Sequence, residues 1–236
     1  MGDQKNKLPL FGETSSDVQG FLEKLASVPA VSGGHRRGRL VFGMDATASR
    51  EATWDQACHI QSEMFLATEG LGGLDVQLIF YRGFGECKAT PWVNSSMDLV
   101  RRMCSVICLG GRTQIRKIFQ HTLRQNKIAR VNALVFVGDC IEEDVDKLCD
   151  LAGQLGLIGV PIFVFQEGYD PAATRGFKQF ARLTGGAHCH FDGKSAEELK
   201  SLLGAVAVFA SGGFKALQAY ETSSKPVVSR ITSQVK

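Results

Sequence analysis

From Leu40 onward the chain switches repeatedly between apolar runs of strand length and longer stretches with helical period. That alternation narrows the fold, because parallel strands need a crossover of a dozen or more residues, usually a helix. Two runs are diagnostic. Val131–Val137 is apolar but for Asn132, and Val160–Phe165 is apolar throughout; a strand without polar alternates is covered on both faces. Leu40–Met44, ending at Asp45, opens the series and Ala187–Phe191 closes it. Between them, Leu74, Val76, Leu78 and Phe80 alternate with Asp75, Gln77, Ile79 and Tyr81. Gly83 and Gly85 follow, then an extended run, Glu86–Val93, whose Pro91 belongs on an edge strand. The pattern predicts an α/β fold: a doubly wound, mainly parallel six-stranded sheet with one antiparallel edge strand and helices on both faces.

Helical period is expected over 50–68, 96–108 and 172–183, along Ile115, Ile118, Phe119, Thr122 and Leu123, along Val145, Leu148, Cys149, Ala152 and Leu155, and over 196–210. Residues 1–38 mix Gly, Ser, Pro and charge and read as a flexible segment with a short helix at 17–25; 39–220 form the domain, and the Ser-, Thr- and Val-rich 221–236 read as a flexible tail.

The chain has 236 residues, 44% of them apolar, enough for one ordinary core. Its seven cysteines, at 58, 87, 104, 108, 140, 149 and 189, are odd in number, with no CxxC pair. They read as free thiols in a reducing compartment, with Cys104 and Cys108 in the core. No run of eighteen apolar residues and no signal-type N-terminal segment is present, so the expectation is a cytoplasmic protein without a membrane partner. The net charge of +3 comes from the two ends: residues 1–39 and 221–236 carry +2 each, which leaves 40–220 at −1. A near-neutral domain argues against a nucleic-acid surface.

Charge within the domain is segregated. Residues 101–130 carry eight Lys/Arg and no carboxylate, whereas 139–150 carry six carboxylates against Lys147. Two solvated helix faces, pairing with each other or not, account for this pattern. Trp92 and Tyr81, near the expected hairpin, are candidates for a contact surface.

Ligands in open α/β sheets sit outside the carboxyl ends of the strands, where strand order reverses. Two carboxylates follow such ends: Asp45, and Asp139 after the 131–137 strand. Asp45 opens Asp45-Ala46-Thr47-Ala48-Ser49, which can turn one carboxylate and two hydroxyls to the same side. Thr113, after Gly110 and Gly111, adds a third hydroxyl. An all-oxygen set suits Mg²⁺, or Mn²⁺ or Ca²⁺, and not zinc or copper. Helix capping by Thr47 and Ser49 is the competing use of the same residues. His188 and His190 share one strand face and are open to metal binding or to strand packing. Neither Gly83-Phe84-Gly85 nor Gly110-Gly111 has the lysine spacing of a phosphate loop.

Taken in order, these pieces resemble the von Willebrand factor A family. Its metal-ion-dependent adhesion site is written Asp-x-Ser-x-Ser after the first strand, Thr on a Gly-containing second loop, and Asp after the fourth strand. Asp45-x-Thr47-x-Ser49, Gly110-Gly111-x-Thr113 and Gly138-Asp139 match that order, with the edge hairpin between the first two. The resemblance covers about 39–210 and includes Leu183-Thr184-Gly185-Gly186-Ala187 before a short strand. Two departures are Thr47 in place of Ser and Cys140 where the family often has Gly.

The resemblance implies a non-enzymatic adaptor domain in which Asp45, Thr47, Ser49, Thr113 and Asp139 hold a Mg²⁺ whose shell a partner's Asp or Glu completes. It also implies protein partners, of which ATPase or chaperone systems are examples. Arg112, Arg116 and Lys117, just after the second loop, are expected beside the ion to attract the partner's carboxylate, with Glu142, Glu143 and Asp144 across from them. The rivals are a phosphoryl-transfer enzyme with Asp45 as nucleophile and a metal-free scaffold. A haloacid-dehalogenase-like phosphatase would need a second Asp where Thr47 stands.

Overall fold

The computed structural model describes residues 37–51, 73–191, 196–223 and 228–235. Residues 1–36 of the expected 1–38 segment, the helix expected over 50–68 beyond Glu51, and the flanking Gly70 and Gly72 lie outside them.

Six strands form one sheet: β1 (Gly38–Asp45), β2 (Leu74–Arg82), β3 (Glu86–Ala89), β4 (Ala133–Gly138), β5 (Ile162–Glu167) and β6 (Ala187–Phe191). Their order is β3-β2-β1-β4-β5-β6, and only β3 is antiparallel to its neighbour. The chain therefore leaves β1 toward one edge and returns to β4 on its other side. This reversal places the carboxyl ends of β1 and β4 next to each other; Met44 pairs with Val137, so Asp45 stands beside Gly138 and Asp139.

Strand side chains alternate between two apolar layers. Leu40, Phe42, Met44, Val135, Val137, Phe163 and Phe165 face α1 (Ser96–Cys104) and α5 (Ala196–Ser223). Val41, Ile79, Leu134, Phe136, Ile162 and Val164 face α2 (Ile115–Ile128), α3 (Val145–Leu157) and α4 (Pro171–Thr184). Each fully buried Phe, Leu or Ile contributes about 1.5–3 kcal/mol against leaving it in water.

The helix ends follow local chemistry. Ser95 caps α1 by accepting from the Asp98 amide, Asp144 caps α3 through the Asp146 and Lys147 amides, and Asp170 caps α4 through Ala173, with Pro171 in the first turn. Gly185, at φ 67°, ends α4 in the left-handed conformation that glycine adopts without strain.

Four boundaries differ from expectation. β3 ends at Ala89 and not at Val93, so Pro91 lies beyond the strand, although Val93 makes an isolated antiparallel bridge to Val76. α1 stops at Cys104, not 108, because the Ser105 hydroxyl donates to Arg102 O and the chain then turns so that the Leu109 amide bonds Ala46 O. Cys104 is consequently exposed and Cys108 half-buried. α5 runs to Ser223, with a non-helical break at Gly213, and its Ser201–Glu221 stretch is long and apolar enough to cross a membrane by length and composition. Here half of that stretch is buried, with Leu202, Leu203, Val206 and Ala210 against the sheet. Finally, residues 228–235, expected in a flexible tail, carry Val228, Ile231 and Val235 into the core around a short α6 (Ser229–Thr232). Their i, i+3, i+7 spacing is a single helical stripe, too short to stand out amid Ser and Thr.

Candidate metal centre

The first loop leaves β1 at Asp45, which has no exposed surface. Its Oδ1 accepts from the Thr47 amide at 2.8 Å and its Oδ2 from the Tyr81 hydroxyl at 3.0 Å. The Thr47 and Ser49 hydroxyls lie 3.2 Å apart, and Ser49 Oγ donates to Asp139 Oδ2 at 2.9 Å. Thr47, at the N-cap position of the short 3₁₀ turn Ala48–Arg50, makes no side-chain capping bond there. The helix expected over 50–68, which these hydroxyls would cap, lies outside the described residues beyond Glu51. Asp139 Oδ1 is buried and has no hydrogen-bond partner among the described residues.

Four of the five expected ligands, Asp45, Thr47, Ser49 and Asp139, thus form one connected cluster at the strand-order reversal. Its electrostatics favour a cation. Burial raises the Asp45 carboxyl above its ordinary value, hydrogen bonds from Thr47 and Tyr81 oppose that rise, and the nearby Asp139 charge adds to it. Tyr81 is driven well above its usual value, first by burial and then by the Asp45 charge, so it remains a neutral donor. Burial and then the Asp139 charge push Cys140 up to about 12, so it adds no thiolate.

Thr113 is turned elsewhere. It is only 4% exposed; its amide donates to Glu142 Oε2 at 2.9 Å, and its hydroxyl accepts from the Glu142 amide at 3.0 Å. Glu143 accepts from the Ile115 amide at 2.5 Å and the Arg116 amide at 3.1 Å. Gln114, at the N-cap position of α2, makes no side-chain cap, so Glu143 satisfies those amides from 27 and 28 residues away. Glu142 and Glu143 therefore do not stand opposite the basic helix as a repelling rim; they are bonded to its start, and the segregated charges meet there. Asp144 caps its own helix.

The basic residues are correspondingly redistributed. Arg112 and Arg116 are exposed, the former held by its amide to Gly83 O. Lys117 points away from the carboxylates and gives its ammonium to Gly85 O at 2.6 Å and Gln114 Oε1 at 2.7 Å, beneath the β2–β3 hairpin. Gly111 presses so closely on that hairpin that a Cβ would stand 2.0 Å from Gly83 O, which is why the second loop needs glycine there.

Tyr81 was legible only as an aromatic near the hairpin, and no exposed contact surface forms from it. It is fully buried and serves as the donor to Asp45. Its pairing with Asp45 across β1 and β2 is the signal that could have found it. Trp92 is half-buried, gives its Nε1 to Gln125 and lies under the Arg39 guanidinium. His188 and His190 do share a face, with ring centroids 4.8 Å apart, but His188 Nε2 meets Gln166 Oε1 and His190 Nδ1 meets Gly168 O. Among the described residues no three His, Cys, Asp or Glu converge as a metal cluster, so any ion here depends on hydroxyls as well as on the two carboxylates.

With this sheet order and this first loop, the chain has a von Willebrand factor A-like fold. It is similar to the von Willebrand factor type A protein from Catenulispora acidiphila (TM-score 0.60, 14% identity, covering 72% of this chain and 43% of that one). It is similar to the SpRpn10 VWA domain (TM-score 0.53, 14% identity, 70% of this chain and 95% of that one). It is also similar to proximal thread matrix protein 1 from the mussel byssus, in a structure with a zinc-occupied MIDAS motif (TM-score 0.56, 14% identity, 74% and 48%). The chain thus spans less than half the length of the first and third of these proteins. No protein-family profile matches the chain, and no curated protein does.

Proposed function

We propose that this chain is a metal-dependent protein-interaction domain. In this reading a divalent ion sits at the Asp45, Thr47, Ser49 and Asp139 cluster and a partner's carboxylate completes its shell. The single observation that carries the reading is Asp139 Oδ1: a buried carboxylate oxygen with no donor among the described residues, beside a second buried carboxylate. Leaving such an oxygen unpaired costs on the order of 1–3 kcal/mol or more. A hard cation supplies what is missing, and the oxygen-only donor set fits Mg²⁺, Mn²⁺ or Ca²⁺.

The residues divide the work unevenly. Asp139 and Ser49 present oxygens, Thr47 backs Ser49, and Asp45 supplies negative charge from within while Tyr81 and the Thr47 amide fix its orientation. Thr113 would join only by exchanging its bonds to Glu142. When bound, the ion offers a Lewis-acidic position to an incoming carboxylate. Asp45 is poorly placed as a nucleophile, since both its oxygens are engaged and neither meets solvent. We read the domain as non-enzymatic on that ground. A reducing, intracellular setting is consistent with the odd count of seven cysteines and with no disulfide joining two described ones.

A peptide array carrying Asp and Glu in varied contexts tests the reading. Probed with the full chain in Mg²⁺, acidic peptides should be retained, and retention should disappear in excess EDTA and in Asp139→Asn. Equal retention in EDTA would sink the carboxylate-to-metal mode.

A further inference from the structure

Lys117, expected at the metal rim, instead lines a separate cleft of about 130 Å³ between α2 and the edge hairpin. Its floor is Ile79, Cys87 and Ala89, and its wall is Lys117, Gln120, His121 and Arg124. Those four are spaced i, i+3, i+4 and i+7, one face of a helix, so two turns of α2 present the same stripe to β3.

No carboxylate lines this cleft. Ion pairs among the described residues involve Arg37, Arg82, Arg101, Lys88 and Lys147, but neither Lys117 nor Arg124. The two hydrogen bonds of Lys117 go to neutral oxygens, which leaves one N–H unspent. Arg124 contributes a guanidinium with no hydrogen-bonded partner among the described residues. Burial pushes the Cys87 thiol up to about 11 against the Lys117 and Arg124 charges, with the more distant Glu143 charge adding to the rise, so Cys87 brings no negative charge. Gln77 gives its amide nitrogen to Thr90 O, so its carbonyl faces His121 Nε2 at 2.8 Å and that nitrogen is the donor. Burial and the Arg124 charge hold the imidazole below its ordinary value, which makes His121 a neutral wall and not a third cation.

Lys117 and Arg124, two turns apart on one helix face, put two positive charges on the lining of one small cleft, and both attract an anion that enters it. A fork of guanidinium donors and an ammonium, opposed by an apolar floor, matches a compact oxyanion carrying two charges. We propose that this cleft binds a dianionic phosphate group, either inorganic phosphate or a phosphate monoester on a partner segment. The neighbouring edge favours the second source: among the described residues β3 pairs with β2 alone, so its outer backbone offers an edge to an extended segment that would carry the phosphate to Lys117 and Arg124.

The test uses the full chain in EDTA, so that it is independent of the metal centre. Amide resonances are followed while inorganic phosphate, a phosphoserine peptide and its unphosphorylated counterpart are added at constant ionic strength. Saturable shifts confined to Cys87, Ala89, Lys117, His121 and Arg124 are expected with both phosphates and not with the unphosphorylated peptide. Lys117→Gln and Arg124→Gln, both on an exposed face, should each weaken the response about tenfold with spectra otherwise unchanged. Tighter binding of the peptide than of inorganic phosphate assigns the ligand to a partner chain; equal or weaker binding assigns it to free phosphate. Shifts that rise linearly without saturating, or that persist undiminished in both variants, overturn the proposal.

Discussion

Two polar clusters lie toward the carboxyl ends of neighbouring strands, and their contrast separates structure from function. At β5 and β6, Gln166 is fully buried, and its carbonyl meets His188 Nε2 at 2.9 Å and accepts from Thr174 Oγ1 at 3.0 Å. Its amide nitrogen reaches Asp170 O at 3.3 Å. No carboxylate oxygen takes part, and both ends of the Gln166 amide are used. At β1 and β4, two carboxylates stand together, one of them with a buried oxygen that nothing among the described residues satisfies. A network whose central amide is used at both ends stabilises the fold it belongs to, while an open anionic one is stabilised by what binds to it.

Substitutions should therefore act in opposite ways at the two clusters. Gln166→Leu strips partners from His188 and Thr174 and should lower the unfolding free energy by about 1–3 kcal/mol in denaturant titrations, with divalent-ion affinity unchanged. A variant as stable as the parent would show that the network is not structural. Tyr81→Phe leaves Asp45 Oδ2 without its donor, and the loss should fall in the lower part of that about 1–3 kcal/mol range, because the carboxyl is already raised and can take up a proton. Asp170→Ala removes the cap of α4, and with it about 1 kcal/mol by thermal unfolding, again without touching ion binding.

The smallest effect is on protonation. With Asp139→Asn in EDTA, Asp45 should titrate at lower pH than in the parent, followed by its carboxyl carbon resonance, yet remain above its ordinary value because burial is the larger cause. The sign follows from linkage. A carboxylate raised on folding favours the folded state below its unfolded value, and that contribution is lost as pH rises through the folded one. Removing the neighbouring charge should therefore leave the metal-free variant no less stable than the parent near neutral pH. A midpoint that does not move would mean the two carboxylates do not sense each other.

Much of this was legible in the sequence because periodicity reports burial directly. The apolar runs at 133–137 and 160–165 marked strands covered on both faces, and the extended run that holds Pro91 marked the edge hairpin. The order of Asp45, Thr47, Ser49 and Asp139 located a cluster that the reversal between β1 and β4 brings together. Side-chain direction was not legible. Thr113 and Lys117 sit near the expected positions in the chain, but the partners that turn them away, Glu142 in the third loop and Gly85 in the hairpin, are 29 and 32 residues distant. Likewise, nothing local announced that Glu143 would cap a helix that lacks a side-chain cap of its own, or that Tyr81 would reach Asp45 across the sheet.

Calorimetric titration of Mg²⁺ and Mn²⁺ into the full chain and into Asp139→Asn tests the central claim most directly. The account predicts one saturable site in the parent and none in the variant, with both folded to the same extent before the ion is added. Equal affinity in parent and variant would contradict it, and the buried oxygen of Asp139 would then be a cost the fold carries without a ligand.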